Sequence, residues 1–169
     1  MSQSKRSAVM RPTFLLVASL AMILGAYGFQ YIGEMEPCEM CYWQRYAYYV
    51  AIPVLAIAIL AAADSSQSSI ARFLIGIAGL AFLVGAGIAG YHAGVEYGWW
   101  PGPESCTASG FVADTAEAFL AAIKGRSIVR CDEIPWSLFG VSMAGYNFFA
   151  SLGLAGLSLF FALDKKGGK

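Results

Sequence analysis

The chain has 169 residues, 58% of them hydrophobic and 13% charged, with a net charge of zero and a mean hydropathy of +0.60. Ordinary soluble domains are about a quarter charged, so this composition excludes a soluble fold and points to a membrane protein. The zero net charge offers no footing for nucleic acid, and the length suits one membrane domain whose spans take roughly 20 residues each.

Lys5, Arg6 and Arg11 precede an uncharged stretch at about 14–32, long enough to cross a bilayer as a first helix. A cleavable signal has a shorter apolar core of about 7 to 15 residues, so a retained helix is expected. The first outer loop, about 33–45, holds Pro37-Cys38-Glu39-Met40-Cys41. A second span follows at about 46–63, where Pro53 is tolerable if neighbours satisfy the freed carbonyl. After a polar break from Asp64 to Ser69, a third span at about 70–91 carries Gly76, Gly79, Gly85, Gly87 and Gly90, and small residues let membrane helices approach closely. A long loop, about 92–137, leads to a fourth span at about 138–163. Within that loop Ala116, Phe119, Leu120 and Ile123 recur at helical spacing among charged residues, the pattern of a short amphipathic helix on the membrane surface. Tyr42, Trp43, Tyr46, Tyr48 and Tyr49 form one aromatic cluster and Trp99 with Trp100 another, mainly as interfacial anchors, the competing reading being that some line a ligand cleft. The fold expected is an all-α bundle of four transmembrane helices.

Orientation follows from Lys and Arg near the helix ends. Lys5, Arg6, Arg11, Arg72, Lys165, Lys166 and Lys169 share one side, against Arg45, Lys124, Arg126 and Arg130 on the other, so both termini are expected in the cytoplasm. All four cysteines then fall on the outer side: Cys38 and Cys41 in the first loop, Cys106 and Cys131 in the second. Disulfides persist in the bacterial periplasm, and an even set of cysteines there reads as disulfide chemistry. A Cys-x-x-Cys pair also serves zinc, but Cys106 and Cys131 lack the close spacing of a second metal knuckle, and Tyr42 stands where attachment of a c-type haem requires His. Thiolate is the reactive form, favoured by helix N-termini and nearby cations. Arg45 lies four residues after Cys41, on the same face of a continuous helix; the competing reading is a snorkelling side chain at the interface. His92, the single histidine, fits a structural role at the interface as well as a polar contact in a site.

Taken together, Cys38-x-x-Cys41 with Arg45, Tyr91-His92, Trp100-Pro101 ahead of Cys106, and Cys131 with Pro135-Trp136 resemble the DsbB family of bacterial inner-membrane disulfide-bond oxidases. The order of cysteines separates it from the vitamin K epoxide reductase family, which places its loop cysteines before the Cys-x-x-Cys. The resemblance implies that the chain oxidises a periplasmic DsbA-like, thioredoxin-fold thiol oxidase and passes the electrons to the membrane quinone pool, ubiquinone or menaquinone. It implies that Cys106 and Cys131 deal with the partner, that Cys131 exchanges with Cys38, and that Cys41 faces the quinone with Arg45 in support and His92 near the pocket. Gln44 departs from better-known members, which carry an acid there. Rival readings are a paralogue with a dedicated partner or a reducing direction, and a non-catalytic scaffold stapled by its disulfides.

Overall fold

A computed structural model describes residues 3–64, 69–103 and 130–164. Four helices, α1 (Gln3–Tyr31), α2 (Glu39–Asp64), α3 (Ser69–Glu96) and α4 (Met143–Leu163), are joined before α4 by a small hairpin of β1 (Ser137–Leu138) and β2 (Val141–Ser142). All four are long and apolar enough to cross a membrane. Leu24, Phe73, Leu80, Val84, Phe149 and Phe160 point outward and exposed, as lipid-facing residues do.

The helices overrun the apolar stretches in the sequence. α1 starts at Gln3 rather than near 14, α2 at Glu39 within the expected first loop, and α3 continues to Glu96 rather than 91. Hydropathy marks where a chain is apolar, whereas intrahelical hydrogen bonds continue into polar flanks until a cap or turn stops them. α4 instead begins later than 138, because Ser137–Ser142 pair as the hairpin. The two residues of its turn, Phe139 and Gly140, have φ of 51° and 78°, the positive values of a type I′ turn. The Ser142 hydroxyl then caps α4 by accepting from the Gly145 N–H at 3.1 Å.

Packing is organised by α3, which lies against both α2 and α4, while α1 packs on α2 and barely touches α4. Leu55, Ile75, Ala78, Phe82 and Leu154 fill the centre. Two glycines of α3 set the spacing: a Cβ on Gly85 would lie 2.7 Å from the Ala47 Cβ on α2, and one on Gly79 would lie 2.9 Å from the Ser158 Cβ on α4. An ion pair of 2.7 Å between Arg11 and Asp164 fastens the N-terminal part of α1 to the end of α4, so the two termini share one end of the bundle. At the opposite end α3 closes with a Schellman turn. Gly98 has φ 70°, the Trp99 N–H reaches the Gly94 carbonyl at 2.8 Å and the Gly98 N–H that of Val95 at 3.1 Å, the two bonds that define this cap. Trp100 folds back over Gly94, where any Cβ would collide with the indole, and stacks on Tyr91 with ring centroids 6.0 Å apart. The Tyr97 hydroxyl donates to the Gly140 carbonyl and accepts from the Ser142 N–H, each at 2.8 Å, fixing the hairpin to α3.

Candidate active site

Cys38 stands immediately before α2, in the N-cap position. Its Sγ accepts from the Cys41 N–H at 3.3 Å, the bond that a Ser or Asp cap makes to the third helical residue. The helix start thereby turns both sulfurs toward each other, with Cys38 Sγ donating to Cys41 Sγ at 2.9 Å. That donation, followed by burial, holds the Cys38 thiol well above its ordinary pKa. Cys131 is fully buried and packs against Cys38 and Met40. Cys38, Cys41 and Cys131 are all unbridged thiols.

His92, on the last turns of α3, is 2% exposed. Its Nε2 lies 3.6 Å from Cys38 Sγ and 3.9 Å from Glu96 Oε1, and its ring also donates a hydrogen bond to the Cys131 backbone carbonyl. The ligand atoms of Cys38, His92 and Cys131 all fall within 4.8 Å of one another. On the other side of the ring, Nδ1 accepts from the Gln44 amide at 2.7 Å. Gln44 Oε1 takes a bond of 2.7 Å from Asn147 Nδ2, and Asn147 Oδ1 one of 2.7 Å from the Tyr48 hydroxyl. A continuous polar chain thus runs through the bundle from Asn147 to the sulfurs.

Arg45 is 7% exposed. No carboxylate among the described residues lies within ion-pair distance of it; its Nη1 donates to Gln30 Oε1 at 2.7 Å, and its guanidinium lies over the rings of Tyr27 and Tyr42, 5.2 and 5.1 Å from their centroids. Amides and aromatic faces disperse a buried cation without neutralising it. Arg45 and Cys41 share a face of α2, and both line a cavity of about 320 Å³ bounded by all four helices and the hairpin. The cavity exists because α1 leans on α2 and leaves α4. Ala21, Met22, Phe29, Trp136 and Met143 give it apolar walls, while Gln30, Gln44, His92, Glu96 and Asn147 supply the polar groups.

The structure brings together five of the six residues singled out in the sequence: Cys38, Cys41, Arg45, His92 and Cys131. Cys106 and the expected surface helix lie outside the described residues. The Arg45 guanidinium is buried under aromatic rings rather than extended into solvent. Sequence reasoning missed Glu96, Gln30 and Asn147, while Tyr48 of the first aromatic cluster does line the cavity. Glu96 had a signal in its position one turn after His92, and Asn147 in being an amide within an apolar span, where polar residues are costly and rarely idle.

The family model described as Disulfide bond formation protein DsbB matches residues 10–161, nearly the full bundle including the cysteine pair, the arginine and Cys131. The chain belongs to the DsbB family. Its relatives include proteins named Disulfide bond formation protein B from Xylella fastidiosa (strain Temecula1), 32% identical with 78% of each chain covered, and from Methylococcus capsulatus, 31% identical over 88% of this chain and 92% of the relative. One from a Polaromonas species is 27% identical over 94% and 95% of the two chains. No solved structure matches the chain. As a DsbB-family member the chain is a multi-pass membrane protein of disulfide bond formation, and the unbridged, closely spaced thiols at the head of α2 are suited to that oxidative chemistry.

Proposed function

We propose that the chain is a quinone-dependent thiol oxidase of the bacterial inner membrane, with both termini in the cytoplasm and its cysteines at the periplasmic face. It oxidises a DsbA-like, thioredoxin-fold partner through two cysteine pairs, Cys106 with Cys131 and Cys38 with Cys41. The observation that carries this reading is the placement of Cys41. Cys41 lines the cavity beside the buried Arg45, while its neighbour Cys38 lies outside the lining and packs against Cys131. One sulfur of the pair is therefore presented to a small apolar ligand and the other to the second pair, as a two-pair electron path requires.

The cavity fits a quinone. Its volume of about 320 Å³ is at the lower end of pockets that bind small molecules, its walls are apolar, and the gap between α1 and α4 gives a lipid-soluble tail a way out. A bound quinone supplies an acceptor for two electrons and two protons, chemistry that belongs to the cofactor. Arg45, held by Gln30, Tyr27 and Tyr42, provides positive charge toward a ring oxygen or the Cys41 thiolate, and Phe29 and Trp136 shape the wall. Disulfide exchange proceeds by thiolate attack through a mixed disulfide. Cys131 reaches Cys38 without passing the cavity, so exchange leaves Cys41 free on the quinone side.

The test is oxidation of a reduced DsbA-like protein by the purified chain, with quinone present and absent, beside Cys41→Ser and Cys106→Ser. Turnover that needs quinone and is lost in both variants is expected. A wild-type chain that leaves the partner reduced in excess quinone would overturn the proposal.

A further inference from the structure

The hydrogen-bond directions around His92 settle which of its nitrogens carries the proton. An amide NH₂ group donates only, so His92 Nδ1, 2.7 Å from Gln44 Nε2, must be the bare nitrogen. The amide orientation is itself fixed from two sides. Gln44 Nε2 also donates to the Met40 carbonyl at 3.3 Å, and Gln44 Oε1 accepts from Asn147 Nδ2 at 2.7 Å. Turning the Gln44 amide over would set its oxygen against the Met40 carbonyl and its NH₂ against that of Asn147. The neutral imidazole then has its N–H on Nε2, the nitrogen left to make the ring's bond to the Cys131 backbone carbonyl, and it faces Cys38 Sγ at 3.6 Å and Glu96 Oε1 at 3.9 Å.

From this geometry we infer that Gln44 is a positioning residue that locks His92 as an N–H donor toward Cys38 and the Cys131 backbone, leaving Glu96 as the buried group of the cavity that takes up a proton. With Nδ1 occupied and Nε2 already protonated, the imidazole has no lone pair to offer. Glu96 lines the cavity with a side chain 2% exposed; the Ser142 hydroxyl hydrogen-bonds its carboxyl group, while Oε2 has no hydrogen-bond partner among the described residues. A buried carboxylate oxygen left unpaired is costly and accounts for itself as a proton acceptor. The other ionisable groups of the cavity are Cys41, Arg45, Tyr48, Tyr146 and Glu36, and Tyr146 gives its hydroxyl proton to the Leu138 carbonyl at 3.1 Å. Arg45 cannot accept a proton, Tyr48 is committed to Asn147 and Ser151, and Glu36 stands exposed.

This inference rests on the proposed function for its electron acceptor. Joining Cys38 and Cys41 breaks two S–H bonds and forms one S–S bond. Two electrons go to the quinone, and two protons follow to its oxygens, one carried by Glu96 Oε2 and the other through solvent. Glu96 ends as it began, and His92 keeps its proton throughout. The same geometry opposes a metal at Cys38, His92 and Cys131, since a ligating Nε2 requires the proton on Nδ1, where the Gln44 NH₂ stands.

Because the chain has one histidine, ¹⁵N-histidine labelling reports this ring without assignment. The reduced full-length protein should show the Nε2–H tautomer, Gln44→Glu should move the proton to Nδ1, and Gln44→Met should give a mixture. Zinc added to the reduced wild type should leave the tautomer unchanged. An Nδ1–H ring in the wild type, or its appearance with zinc, would overturn the lock. For Glu96, the expected result is that Glu96→Gln lowers kcat with quinone at least tenfold, a larger fall than in quinone-free disulfide exchange with the partner. A Glu96→Gln protein with wild-type kcat would overturn its role. Failure of the wild type to use quinone would sink the proposed function instead, while the tautomer is read independently of turnover.

Discussion

Replacing Arg45 by Met separates the charge from the packing. In the folded chain the guanidinium gives one of its five N–H donors to Gln30 Oε1 and lies over Tyr27 and Tyr42. The lost charge-assisted hydrogen bond is worth about 1.5–3 kcal/mol and each cation–π contact about 0.5–2 kcal/mol. Against this stands the relief of a buried charge lacking a carboxylate partner, itself several kcal/mol. These terms are of similar size and opposite sign, so the thermal midpoint in detergent should move little. A charged hydrogen bond from Arg45 to a quinone oxygen has no such offset. Its loss at about 1.5–3 kcal/mol corresponds to roughly a 10- to 150-fold fall in kcat/KM for quinone. Arg45→Lys should recover only part of it, because an ammonium lacks the planar fork that engages Gln30 and a ligand together. The assay is quinone-dependent oxidation of the reduced partner across a quinone titration, with the melting curve of each variant alongside. Wild-type kcat/KM in a folded Arg45→Met protein would refute the reasoning, and so would a loss that merely tracks unfolding.

Glycine spacing makes a paired prediction. Gly85→Ala places a Cβ 2.7 Å from Ala47, while Gly87→Ala meets nothing within 4 Å, so the first should destabilise the bundle by about 1–3 kcal/mol and the second should not; equal melting curves would refute the close approach. The Cys38 thiol is raised by its donation to Cys41 and by burial. It therefore stays protonated through neutral pH, and mass-mapped alkylation of reduced protein should label it only at pH above its ordinary value; Cys41→Ala, which removes the first cause, should bring that midpoint down. In a Cys41→Ser, Cys106→Ser double variant, mild oxidation should join Cys38 to Cys131, whose sulfurs lie within 4.8 Å; persistent labelling of both thiols would refute their proximity. Tyr97→Phe leaves the Ser142 N–H without its hydroxyl acceptor and should cost about 1–3 kcal/mol in thermal stability.

The sequence by itself determined the four spans and the nearness of Cys38, Cys41 and Arg45. Hydropathy sums over neighbours in the chain, so stretches of about 20 apolar residues declare themselves wherever they pack, and Cys38, Cys41 and Arg45 are close enough in sequence for helix periodicity to put them on one face. The ends of the helices were less legible, because caps such as Cys38 and Ser142 and the Gly98 turn lie in polar segments that hydropathy discards. Only the tertiary structure decided what the pair faces. Cys131 meets Cys38, and Gln44 meets both His92 and Asn147, across sequence separations that no local pattern spans. Those meetings depend on how each helix is rotated, which Gly79 and Gly85 set through contacts with α4 and α2. The cavity depends on α1 leaning away from α4. Rotation and lean follow from side-chain shape at helix contacts, information spread over the whole bundle, and for that reason Glu96 and Asn147 joined the site only once the helices were packed.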